Sequence, residues 1–195
     1  MPEQQGALEI PRGSAVISTC GKYRYSLTRE IGGNDRVCNF IMLNPSTADA
    51  ETDDPTIRRC IGYAKAWGFG RLIVTNLFAF RATDPKDMLS AADPVGPDNA
   101  RHVAEAAERA YNIYAEAFNE PRGLVVCAWG NHGGYMDQDL TTLGWIDRFR
   151  PKALKVSKTM QPCHPLYLPA GLKPVPYEGR IALANAQGEA GKEGA

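Results

Sequence analysis

The sequence predicts one α/β domain, a three-layer α/β/α arrangement around a central, mostly parallel four-stranded sheet preceded by an N-terminal β-hairpin. Three observations predict it. Short apolar runs alternate with amphipathic helical stretches from residue 37 to residue 157, as in βαβ units whose parallel strands are covered on both faces. The first three runs lead into Asn-, Gly- or Pro-bearing breaks, at Asn44-Pro45, Asn76 and Gly130-Asn131-His132-Gly133-Gly134, and the carboxyl ends of such strands are where these sheets hold ligands. A chain of 195 residues, 44% of them apolar, is also long enough to bury one substantial core.

The elements follow in order. Residues 1–12 are polar and carry two prolines, and residues 184–195 are small, polar and Gly-rich. Neither segment has the apolar content to offset its ordering entropy, so both are expected to be flexible around a single domain spanning 13–183. SAVISTCGKYRYSLTREIGG reads as two β segments around Cys20-Gly21-Lys22, with Tyr23, Tyr25 and Leu27 alternating against Lys22, Arg24 and Ser26. Val37 to Leu43 is a nearly continuous apolar run, as in a buried parallel strand. Asp54 is placed to cap the first helix and Pro55 suits its first turn. Ile57, Cys60, Ile61, Ala64 and Trp67 fall on one face before Gly68 stops it. Arg71 to Phe80 is the second buried strand, and a loop from Arg81 to Gly96 holds a short helical piece at Pro85 to Ala91. A long helix spans 97–118, with Val103, Ala106, Ala107, Ala110, Ile113, Tyr114 and Ala117 as its apolar stripe. Gly123 to Trp129 forms the third strand, Leu140 to Phe149 a helix, and Ala153 to Ser157 the last strand.

Composition narrows the function classes. Lys plus Arg total 22 and Asp plus Glu total 22, so no global positive field draws the chain onto nucleic acid and local patches must do that work. The five cysteines, at 20, 38, 60, 127 and 163, form no Cys-x-x-Cys pair, which points to reduced thiols rather than a zinc or iron-sulfur site. Three separated histidines do not establish a metal site either, and no cofactor is implied. No basic-then-apolar leader and no run of about 20 apolar residues occurs. The expectation is therefore a cytoplasmic protein with no membrane association and no obligate protein partner.

Four ordered segments, MLNPSTADAETDDPTIRRC, RLIVTNLFAFRATDP, LVVCAWGNHG and HPLYLP, resemble domain-of-unknown-function family 1643, over roughly residues 37 to 170. The same segments more distantly resemble the uracil-DNA glycosylase superfamily in order and spacing. That second resemblance implies a glycosylase-like fold and a site. Met42-Leu43-Asn44-Pro45 is similar to the loop that positions the attacking water, giving that role to Asn44. Thr75-Asn76-Leu77 looks like the strand end that reads the base edge, and His164-Pro165-Leu166 resembles the last loop, whose His faces the base oxygen. Leu166 stands where the superfamily usually has Ser, and Cys163 where Arg is expected.

The chemistry suits these residue types. Cleaving an N-glycosidic bond leaves positive charge on the sugar and negative charge on the base, so a fixed donor and an oriented water are needed. A neutral His164 supplies the donor. Asn44 orients water but does not deprotonate it, so an acid beside the first loop is sought among Asp49, Asp53 and Asp54; Asp49, nearest in sequence, is preferred. Asn76 reads the base edge through its amide, with Tyr63, Trp67 or Phe78 as a stacking platform. Pro45, Ser46 and Leu166 are further substrate-binding candidates, and Arg58, Arg59, Arg81 and His132 are candidates for phosphate or DNA contacts. Each signal also has an ordinary reading: Asn44-Pro45-Ser46 as strand-end punctuation, Asn76 as a buried backbone-bonding amide, His164 as a loop residue, and Arg58 and Arg59 as a solvated helix face.

The expected function is that of an N-glycosidase acting on an unusual or modified base in DNA or a nucleotide. Two alternatives stand beside it: a non-catalytic module binding a nucleotide or modified base, and an enzyme acting on a small nucleoside or nucleotide. A carboxylate turned away from the pocket favours the first, and the lack of a basic groove favours the second.

Overall fold

The computed structural model describes residues 13–111 and 123–180. The terminal segments expected to be flexible and the last turns of the third helix, 112–118, fall wholly or largely outside them. The described residues form a mixed α/β domain with one seven-stranded sheet and four helices. In chain order these are β1 (Gly13–Ile17), β2 (Arg24–Glu30), β3 (Val37–Met42), α1 (Pro55–Ala66), β4 (Arg71–Asn76), α2 (Pro85–Leu89), α3 (Asn99–Tyr111), β5 (Leu124–Cys127), α4 (Gln138–Ile146), β6 (Lys152–Ala153) and β7 (Val175–Pro176).

The sheet order is β1-β2-β4-β3-β5-β6-β7. β3 pairs in parallel with β4 and β5, and β5 in parallel with β6. The sheet is wider than the four strands expected. β2 hydrogen-bonds antiparallel to β4, with Leu27 opposite Val74, so the hairpin extends the sheet and does not merely flank it. At the other side β7 pairs antiparallel with β6. Its Pro176 is compatible with an edge strand, where a missing N–H leaves no ladder bond broken.

Alternation along β3 builds two cores. Val37, Ile41 and Leu43 join Val103, Ala107 and Ala110 of α3 and Leu143 and Ile146 of α4. Cys38, Phe40 and Met42 join Ile57, Cys60, Tyr63 and Ala64 of α1. Helix α1 forms as its sequence dictates: Asp54 accepts a 2.8 Å bond from the Ile57 amide, Pro55 opens the helix, and Gly68 takes a positive φ of 79° just beyond its end.

Two strands are shorter than their apolar runs. β4 stops at Asn76 because the amides leave the ladder just beyond it: Leu77 closes the last pair by donating to Met42, but Phe78 then donates to Leu43, and Ala79 and Phe80 to Val95 and Pro94. β6 is two residues long because the chain folds back, with Ser157 donating to Gln161, Cys163 to Lys155, and Val156 bridging Pro162. That fold-back delivers Cys163 and His164 to the carboxyl ends of β3 and β5.

The hairpin holds an irregularity with a large local effect. Ser26 pairs with Val16 but Arg24 pairs with Ile17, so β2 carries one extra residue, Tyr25. Strict alternation would put Tyr25 and Leu27 on one face. Instead Tyr25 stacks on His102 of α3 at 4.8 Å, whereas Leu27 packs in the α1 core. The bulge reverses the phase of the strand, and Arg24 is turned inward, donating to the Ala48 carbonyl.

Candidate functional site

A cavity of about 670 Å³ opens at the carboxyl ends of β3, β4 and β5, the position where sheets of this kind hold ligands. Asn44 from the loop after β3, Asn76 from the last position of β4, and His164 from the loop after β6 all line it. Ser46, His132 and Leu166 line it too.

Asn76 is 1% exposed, and neither its side-chain oxygen nor its nitrogen has a hydrogen-bond partner. Unpaired buried amides are costly and uncommon, each orphaned atom forfeiting about 1–3 kcal/mol. Its backbone is held firmly, since the Asn99 amide donates to the Asn76 and Leu77 carbonyls at 3.0 and 2.9 Å. The side chain is thus an unspent donor and acceptor on a fixed support. Asn44 is differently placed: its nitrogen donates to the Ala82 carbonyl at 2.8 Å and to the Pro45 carbonyl at 3.2 Å, tying two loops together.

His164 accepts a 3.3 Å bond at Nδ1 from the Leu166 amide. A neutral ring with Nδ1 accepting carries its proton on Nε2. Burial depresses its basicity below the ordinary histidine value, opposed in part by the negative charge of Asp54, so the ring is neutral at pH 7.

The carboxylate that lines the cavity is not the one preferred from the sequence. Asp49 does not line the cavity; Oδ1 accepts the Glu51 and Thr52 amides at 3.0 and 2.8 Å, and these bonds, the Thr52 one foremost, lower its pKa. Asp54 does line the cavity. Its Oδ1 caps α1, and Oδ2 takes no part in that cap. Nearness in sequence is a poor guide here, because the turn at Asp49–Thr52 points that carboxylate back onto its own backbone.

The three expected stacking residues lie off the cavity, packed and bonded elsewhere. Tyr63 donates to the Pro169 carbonyl at 2.6 Å, Trp67 donates to the Leu172 carbonyl and stacks on Phe40 at 6.0 Å, and Phe78 is fully buried against Tyr135. None lines the cavity, whose aromatic walls are Trp129 and the 83% exposed Tyr167. Pro45 is buried beside the cavity wall, its carbonyl accepting from the Ala82 amide at 2.9 Å. The expected phosphate arginines also lie off the cavity: Arg58 donates to the Asp53 carbonyl, Arg59 to the Leu168 carbonyl while lying 5.2 Å over the Tyr63 ring, and Arg81 to the Gly21 carbonyl. The cation that does line it is Arg24, which strict strand alternation assigns to the opposite phase.

A buried network fixes one wall. Trp129 Nε1 donates to Gln161 at 2.7 Å, Gln161 donates to Asp139 at 2.6 Å, and Arg180 donates to both oxygens of Asp139 at 2.7 and 2.8 Å. Gly133 packs against the same indole, and a Cβ there would lie 2.1 Å from Cδ1 of Trp129. Gly133→Ala is therefore expected to cost about 1–3 kcal/mol by overpacking, measured as a lowered urea midpoint with unchanged m.

Residues 24–166 match the family described as "Protein of unknown function (DUF1643)", most of the chain. The chain belongs to this family. The DUF1643 match begins at Arg24 and ends at Leu166, two residues that line the cavity, and it leaves Arg180 outside. No curated protein and no solved structure matches this DUF1643 chain. The five cysteines are free thiols, and no group of three or more His, Cys, Asp or Glu suited to a metal occurs among the described residues. No helix among them is long and apolar enough to cross a membrane.

Proposed function

We propose that the cavity receives a nucleobase and that the protein acts on the N-glycosidic bond of a small nucleoside or nucleotide bearing an unusual or modified base. The observation that carries this reading is the Asn76 amide, buried in the cavity with both its donor and its acceptor unspent. An adjacent donor and acceptor on a fixed amide complement the edge of a base. His164 with its proton on Nε2 is the donor to charge developing on the departing base, and the carboxylate of Asp54 complements positive charge developing on the sugar. The distant resemblance of the four segments to the uracil-DNA glycosylase superfamily supports the same reading. A small substrate is favoured over DNA because Arg58, Arg59 and Arg81 spend hydrogen bonds on protein carbonyls away from the cavity. A second reading, a non-catalytic base-binding module, is favoured by the engagement of the Asn44 amide with Ala82 and the outward turn of Asp49.

The test is incubation with nucleosides, nucleotides and oligonucleotides bearing damaged or hypermodified bases, scored for released base by mass spectrometry beside equilibrium binding. Base released from a nucleoside or nucleotide supports the proposal; binding without release supports the module; neither binding nor release overturns both. Asn76→Leu adds a stability readout. It should weaken binding at least about 10-fold and raise the unfolding free energy by about 1 kcal/mol, since it removes two unmet hydrogen-bonding atoms without opening a large void.

A further inference from the structure

Arg24 carries a charge that the described residues leave without a carboxylate partner. The residue is 2% exposed, its one side-chain hydrogen bond goes to the Ala48 carbonyl, it forms none of the ion pairs found among the described residues, and its Nε has no partner. The neighbouring carboxylates form no ion pair with it. Asp53 pairs with Arg29 at 2.8 Å, Asp49 accepts the amides of its own turn, and Asp54 favours the charged form of Arg24 through space while spending Oδ1 on the cap of α1. Burial lowers the Arg24 pKa to about 10, which still leaves it charged at neutral pH. A buried, half-satisfied guanidinium is expensive, and its planar fork suits an oxyanion.

We propose that Arg24 receives an anionic group of the substrate, a phosphate or a carboxylate, carried on the same molecule whose neutral edge meets Asn76. The cavity lies between the two: Arg24 stands at the start of β2, Asn76 at the end of neighbouring β4, and both line it. A cavity of about 670 Å³ accommodates a nucleotide. Asp54 on the same wall repels further negative charge, so the site suits a single anionic group rather than a polyphosphate. What the anion is attached to rests on the base-recognition reading; the anion receptor itself does not.

The experiment compares neutral and anionic members of matched pairs by calorimetry and thermal shift: the common nucleosides against their 5′-monophosphates, and uracil against its 6-carboxylate, orotate. Inorganic phosphate and acetate serve as base-free probes. In the wild type at least one anionic member should bind about 10-fold or more tighter than its neutral partner. Arg24→Met should abolish that preference and leave the neutral partner within about 3-fold. Arg24→Lys keeps the charge without the fork and should reduce the preference, which keeps the test open if the Met variant does not fold. A monophosphate response places the anion on the sugar; an orotate response places it on the base. Equal affinities within every pair, a preference undiminished in both variants, or no response to any anion overturns the proposal. Phosphate stabilising the wild type but neither variant to the same degree, with no base-bearing compound bound, upholds the anion receptor and removes the base reading.

Discussion

Arg180→Met is expected to lower the unfolding free energy by about 3 kcal/mol, because it strands the carboxylate of Asp139 inside the protein. Asp139 is 0% exposed, and Arg180 supplies a hydrogen bond to each of its oxygens. Removing one member of a buried pair costs far more than the pair contributes over an apolar equivalent, since the remaining charge has lost both water and partner. Burial by itself raises the Asp139 pKa, but bonds from Arg180, Gln161 and the Leu140 amide outweigh it, so the net shift is downward. A carboxyl whose folded pKa is depressed stabilises the protein above its unfolded value, near 3.8, and that contribution fades as pH falls through the folded value. In Arg180→Met the burial effect is left opposed by fewer bonds. The difference between the two proteins should therefore be largest at neutral pH and shrink below about pH 4. Urea titrations at pH 7 and pH 3 check this, and equal losses at both would show that lost packing, not charge, sets the cost.

On the proposed glycosidase chemistry, His164→Ala is expected to lower turnover by about 10²-fold or more while substrate affinity changes less, because an Nε2 donor to the departing base would meet charge that appears only in the transition state. The pH dependence follows from burial, which holds the ring pKa below 6.5 despite the opposing pull of Asp54. Turnover should stay level from pH 8 through 6.5 and fall only below that, where a proton on Nδ1 breaks the bond from the Leu166 amide that orients the ring. The linkage runs the same way: the native state takes up its proton later than the unfolded chain, so stability is unaffected above about pH 7 and declines as pH falls through 6.5. His164→Gln should flatten that decline. Single-turnover base release and denaturation midpoints across pH 5 to 8 measure both, and undiminished release by His164→Ala would remove the residue from the chemistry.

The parts of the fold readable from sequence are those with a local period. Ile57, Cys60 and Ala64 recur as one helical face and are buried together, and the run Val37 to Leu43 is a strand buried on both sides. β6 and β7, two residues each, have no period to read; long-range pairing alone makes them strands. The site divides likewise. Asn44 and Asn76 stand out because each lies at or just beyond a strand end, and His164 because it opens a His-Pro loop; the cavity gathers all three. Tyr63 and Trp67 lie on or beside the stripe of α1 that already announces a core position, so their burial follows the helical pattern rather than the chemistry assigned to them. Trp129 and Arg24 are hidden in the sequence for opposite reasons. Trp129 has the pattern of the apolar end of a strand, and Arg24 falls on the solvent phase of an alternating one. Arg180 offers no local signal, its importance arising from Asp139, 41 residues earlier, and from neighbouring Asp137.

The extra residue in β2 lets one strand serve both cores with adjacent side chains. Arg24 shares the face of Leu27 although they stand three positions apart, and Tyr25, the residue without a partner on β1, is sent to α3. Losing Tyr25 would leave Arg24 two positions from Leu27 in strict alternation, on the same face as before, with the pairing of β2 and β4 otherwise intact. A loss in the turn at 18–22 would shorten a surface connection and leave the phase untouched. Within this hairpin the cavity's cation is therefore insensitive to length, and a family member with a gap at Tyr25 would keep both the sheet and the charge and forfeit only the ring that rests on His102.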